Sequence, residues 1–128
     1  MNGITLSDGE WKLMNALWQN TPCTLSQLVG LLENDTGWTK STIFVMLKRL
    51  SSKGAVEIKC EGKLQLYSPL ILREDATIKE TESFLSRVYG GSIGLMISSM
   101  AGQKALTEKD IADLRKILED AGKENSDD

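Results

Sequence analysis

The chain has 128 residues, two prolines and 41% hydrophobic content, which suits one compact domain or two small ones and excludes a disordered tail. No apolar run reaches membrane-spanning length, and the opening from Met1 to Asp8 lacks a basic stretch followed by an apolar one, so the sequence predicts a cytoplasmic protein without membrane insertion. Histidine is absent and the two cysteines, Cys23 and Cys60, are far apart; zinc sites of the Cys/His type, CxxC redox pairs and His-based triads drop out together, and no cofactor or metal is expected.

Net charge is -3, but it is unevenly spread. Residues 1–70 hold seven Lys/Arg against six Asp/Glu, and residues 71–128 eight against twelve. Within Trp38 to Lys63 the count is six against two, so a basic patch sits on an acidic chain.

Ser7-Asp8-Gly9-Glu10 has the form of a capping box, and Trp11, Met14 and Trp18 follow at helical spacing, widened by Leu13 and Leu17. This predicts a first helix ending near Asn20. Thr24 to Gln27 repeats the pattern ahead of Leu28, Val29 and Leu32, a short second helix closed by a loop over Asn34 to Gly37. Thr39 is placed to cap a third helix with Ile43, Met46, Leu47 and Leu50 on one face, ending at Lys53-Gly54.

After Gly54 the period changes to two. Val56, Ile58 and Cys60 alternate with charged residues, Glu61-Gly62 supplies a tight turn, and Leu64 and Leu66 alternate with Lys63, Gln65 and Tyr67, which predicts a β-hairpin closed by Pro69. Three short helices and then a hairpin is the order of a winged helix-turn-helix, in which the third helix reads DNA and the hairpin is the wing.

The rest is helical. Ile78, Thr81, Phe84, Leu85 and Val88 form one face that stops at Gly90-Gly91; Ile93, Ile97 and Met100 belong to a short apolar stretch with Leu95 and Met96; Thr107 caps a last helix carrying Ile111, Leu114 and Leu118 beside Ile117. So few residues cannot bury that apolar surface among themselves, which predicts a homodimer through this face. The polar tail from Lys123 reads as frayed. The predicted architecture is mostly α with a small β-hairpin: a winged helix-turn-helix over residues 1–70, then a helical dimerisation domain over 71–128.

The opening Leu6-Ser7-Asp8-Gly9-Glu10-Trp11 with Ala16-Leu17-Trp18, the third-helix segments Trp38-Thr39-Lys40-Ser41-Thr42-Ile43 and Leu47-Lys48-Arg49-Leu50, the wing exit Tyr67-Ser68-Pro69-Leu70, and Lys79 to Ser92 occur in the order seen in one family. The chain resembles the penicillinase-repressor family, the BlaI/MecI and CopY group of bacterial repressors. That resemblance implies a homodimeric repressor on an inverted-repeat operator of duplex DNA. The β-lactam-responsive members are inactivated by proteolysis at an Asn-Phe pair, with a membrane sensor-protease as partner; this chain departs from them in having Ser99 and Met100 at the aligned positions. The paired cysteines of the copper-sensing members have no counterpart after Glu119.

On the third helix the face opposite the core carries Ser41, Phe44, Val45, Lys48 and Ser52, flanked by Lys40 and Arg49. Lys40, Lys48, Arg49, Lys53 and the wing residues Lys59 and Lys63 are expected on phosphates, and Ser41, Thr42, Phe44 and Val45, with Thr39 at the helix start, near base edges. The competing reading is a winged-helix module for protein contacts. Trp11 and Trp18 read as core residues, and Met96 and Met100 as interface filler. The cysteines read as small buried hydrophobes or as a thiol pair. No glycine-rich phosphate loop accompanies the carboxylates, so the chain is not expected to be an enzyme.

Overall fold

The computed structural model describes residues 4–126, which form six helices and one hairpin. In chain order these are α1 (Asp8–Gln19), α2 (Leu25–Thr36), α3 (Lys40–Ser52), β1 (Val56–Glu61), β2 (Leu64–Pro69), α4 (Arg73–Tyr89), α5 (Ile93–Gly102) and α6 (Glu108–Ser126). Both capping boxes form as the sequence predicts. Ser7 Oγ accepts from Glu10 N while Glu10 Oε1 accepts from Ser7 N, and Thr24 and Gln27 repeat the exchange.

The chain divides into two compact units, one running to Thr81 and the other starting at Glu82. The core of the first unit is built from Leu13, Met14 and Leu17 of α1, Leu28 and Leu32 of α2, Ile43, Leu47 and Leu50 of α3, and Val56 and Tyr67 of the hairpin. It continues past Leu70. Trp18 Nε1 donates to Ile71 O at 2.9 Å, Ile71 packs against the core, and Ala76 in the first turns of α4 is buried. The division therefore falls inside α4 rather than at residue 70.

Three local readings are corrected. Helix α2 runs through Thr36 because Gly37, at φ 67°, takes the left-handed cap position and donates its N–H to Glu33 O at 2.9 Å. The hairpin turns on Gly62-Lys63, with Glu61 paired to Leu64, instead of on Glu61-Gly62. Gly62 has φ 62°, the sign a type II′ turn requires at its first central residue. One step of the turn shifts every cross-strand partner by two residues, so Ile58 faces Tyr67 in place of Gln65 while Leu64 and Leu66 stay on the face of Lys59. Tyr67, paired with Ile58, is buried, while Leu64 is 58% exposed. Finally, α6 stays helical through the tail segment Lys123 to Ser126. The last two residues of that tail lie outside the described residues.

The wing is tied to the body by backbone. Cys23 N donates to Tyr67 O at 3.0 Å and Tyr67 N to Cys23 O at 2.8 Å, a single bridge between the α1–α2 turn and β2. Cys23 is buried as one reading of the cysteines has it, and burial pushes its thiol up against the opposing effect of the Thr24 backbone hydrogen bond. Cys60 is exposed on β1 and both thiols are free, so neither the buried role for Cys60 nor a thiol pair holds in this structure.

Candidate nucleic-acid interface

Helix α3 starts at Thr39, whose Oγ1 accepts from Thr42 N at 3.2 Å and donates to the Thr42 hydroxyl at 3.1 Å. This cap fixes the helix start and commits both threonines to each other. Ile43, Met46, Leu47 and Leu50 face inward. Ser41, Val45, Lys48 and Ser52 form an exposed stripe on the opposite side, with Lys40, Thr42, Phe44 and Arg49 exposed on its flanks. No carboxylate lies anywhere in α3.

Phe44 and Val45 have different settings. Phe44 faces a cleft of about 340 Å³ between α3, the start of α2 and the wing, whose walls include Lys40, Ser26, Lys63, Leu64 and Tyr67. The Lys48 ammonium lies 5.9 Å from the centre of the Phe44 ring, a cation–π contact one turn along the helix. The cleft thus brings Lys40 of α3 and Lys63 of the wing turn to one place. Lys59 is also exposed, on the strand face it shares with Leu64 and Leu66. Ser26 was missed by sequence reasoning; its exposure beside the capped α2 start became visible only once the wing was folded against that helix.

Lys53, expected on a phosphate, is committed elsewhere. Its Nζ lies 2.6 Å from Glu10 Oε1 and donates to Thr5 O at 3.0 Å, so the C-cap of α3 is clamped to the first turn of α1. Glu10 is 1% exposed, and its Oε2 has no hydrogen-bond partner among the described residues. Burial alone pushes this carboxyl up. The Lys53 ammonium and the Ser7 backbone N–H outweigh burial and hold it below the ordinary glutamate range. The signal available in the sequence was the glutamate of the capping box, a buried charge in need of a cation.

Trp11 and Trp18 pack on each other at 5.9 Å between ring centres, against the core as expected and away from any stacking role. Among the described residues no group of three or more His, Cys, Asp or Glu is placed to hold a metal ion. No helix among them is long and apolar enough to cross a membrane.

The second unit is different in kind. None of its described side chains is fully buried. Phe84, Val88, Ile93, Met100, Ile111 and Leu118 are exposed, Leu85, Ile97 and Leu114 are half-buried, and Leu95 and Ile117 add to the apolar surface. Ile78 and Thr81, in the part of α4 belonging to the first unit, are exposed as well. Ser99 and Met100 lie exposed within α5.

The family model for the penicillinase repressor matches residues 6–120. The chain is 30% identical over 115 residues to the penicillinase repressor of Bacillus licheniformis, covering 90% of each chain. It is 26% identical over 113 residues to the methicillin resistance regulatory protein MecI of Staphylococcus aureus, covering 88% of this chain and 92% of that one. Among solved structures it is similar to the DNA-binding domain of the repressor BlaI, with a TM-score of 0.52 and 32% identity over 59% of this chain and 93% of that one. It is also similar to the monomeric form of Bacillus licheniformis BlaI in complex with the blaP half-operator, with a TM-score of 0.51 and 30% identity over 56% of this chain and 88% of that one. By sequence over nearly its whole length, and by fold over the winged helix, the chain belongs to the penicillinase repressor family.

Proposed function

We propose that this protein is a transcriptional repressor that binds duplex DNA as a homodimer at an inverted-repeat operator, with α3 in the major groove and the wing on the flanking backbone. The observation that carries the reading is the outer face of α3. Its stripe of hydroxyls, one apolar side chain and an ammonium is free of carboxylates, and Lys40 and Lys63 converge beside it. The similar BlaI structure, a monomer on a half-operator, supports the same use of the fold here. Lys40, Lys48, Arg49, Lys59 and Lys63 neutralise phosphates, and Ser41, Thr42, Phe44, Val45 and Ser52 lie towards the groove.

The dimer follows from the second unit, whose exposed apolar side chains find cover on the same face of a second copy. Two third helices then enter the groove one helical turn, or a multiple of it, apart, and occupancy of a promoter suffices to repress. The protein works in the cytoplasm and needs no catalytic step. The family resemblance supports a membrane sensor-protease as the partner that lifts repression, cutting at Ser99–Met100. These residues are helical, so α5 has to open locally before a protease can take them in extended form.

Titration of duplex DNA at increasing salt tests the reading. With about six to ten phosphates contacted, raising salt from about 50 to about 200 mM weakens binding by roughly 10³ to 10⁵. A flat response assigns the winged helix to protein contacts instead.

A further inference from the structure

An exposed apolar side chain needs no special explanation by itself; its place on the binding face gives it one. At about 100° per residue, Ser41, Val45, Lys48 and Ser52 fall within roughly 30° of the line opposite the buried face of α3, and Phe44 falls about 70° to one side. Phe44 is accounted for by its neighbours, since it faces the cleft under the wing and holds the Lys48 ammonium over its ring. Val45, 54% exposed, is the apolar member of the central stripe.

We propose that Val45 is a specificity-determining residue that reads the 5-methyl group of a thymine in each operator half-site. The inference rests on the placement of α3 in the major groove proposed above. A valine has no hydrogen-bonding group, and the one apolar group exposed on base edges in that groove is the thymine methyl. Being β-branched on a helix, Val45 is held in essentially one rotamer, so its methyls are presented with little entropy left to lose. Ser41 lies one turn before it and Lys48 one turn after, which brackets the thymine with polar contacts and fixes its register along the helix.

The full chain is used to select duplexes from a random pool, and each thymine of the selected half-site is then replaced in turn by uracil, which removes only the methyl. One thymine per half-site is expected to be sensitive, with binding about four-fold weaker per half-site, the worth of one buried methyl group. In Val45→Ala that sensitivity disappears, while thermal unfolding stays near that of the parent because the position is exposed and alanine favours helix. Selection of a sequence with no uracil-sensitive position overturns the inference and leaves DNA binding standing. So does a sensitive thymine that responds to Phe44→Ala but not to Val45→Ala. Failure to select any sequence, with no salt-dependent binding, removes the inference together with the reading beneath it.

Discussion

The two units of this chain solve the hydrophobic problem in opposite ways. The winged-helix unit buries Leu13, Leu17, Leu28, Ile43, Leu47 and Leu50 completely within itself. The unit after Thr81 has comparable apolar content in its helices and buries none of it fully. Interior packing makes the first unit self-sufficient, so its surface is free to carry hydroxyls and cations for a polyanion. The second unit leaves the apolar side chains of its helices exposed where a core would hold them, the surface on which the proposed dimer rests.

Replacements of like residues separate the two most sharply. Leu47→Ala removes a fully buried side chain of the self-contained core and is expected to cost roughly 2–5 kcal/mol in denaturant unfolding. Leu118→Ala, at a position 62% exposed in the single chain, leaves unfolding of the first unit unchanged and acts on the dimer dissociation constant. Equal loss of first-unit stability from both would erase the distinction.

A smaller effect is expected at the clamp between α1 and α3. Lys53→Met strands the Glu10 carboxylate and is expected to cost about 3 kcal/mol, the low end for breaking a buried pair, because Lys53 itself is partly exposed. Folded Lys53→Met keeps the salt dependence of DNA binding, whereas Lys48→Ala lowers that slope by about one for each phosphate it no longer neutralises. A lowered slope for Lys53→Met would return this lysine to the phosphate-binding set.

The same clamp sets a pH dependence, smaller still near neutrality. The Glu10 carboxyl is lower in the folded protein than its usual value of about 4.3, so the unfolded chain takes up the proton first. Its contribution to stability is complete above that value and is lost as pH falls through the lower folded value. Glu10→Gln, which keeps an acceptor for Ser7 N–H, flattens this part of the acid limb. An unchanged acid limb in Glu10→Gln contradicts the assignment.

Most of the fold was legible because the signals were local. Ser7 and Thr24 announce their capping boxes, the period of α3 separates Leu47 from Lys48, and Gly90-Gly91 ends α4. The exposed face of α3 was legible for the same reason, as the complement of a regular buried stripe. What could not be read depended on partners distant in sequence. Gly62-Lys63 and Glu61-Gly62 are both plausible turns, and only the packing of Tyr67 against the body, with its bridge to Cys23, selects the first. Lys53 looks like any other cation of the basic patch until Glu10, far away in the chain, is brought beside it. The end of the first unit was missed because Trp18 reaches Ile71 through a backbone carbonyl, an interaction that leaves no pattern in the sequence.

The division of labour itself is tested by titrating one inverted-repeat duplex with the full chain and with a fragment ending at Thr81, which retains Ile71 and Ala76 of the core. The fragment is expected to fold, to stay monomeric in sedimentation and to fill the two half-sites independently. Its apparent affinity for the whole site should be weaker than that of the full chain by roughly 10² to 10⁴, the usual gain from linking two binding modules. A fragment that dimerises, or that matches the full chain on the inverted repeat, contradicts the claim that the second unit exists to pair the first.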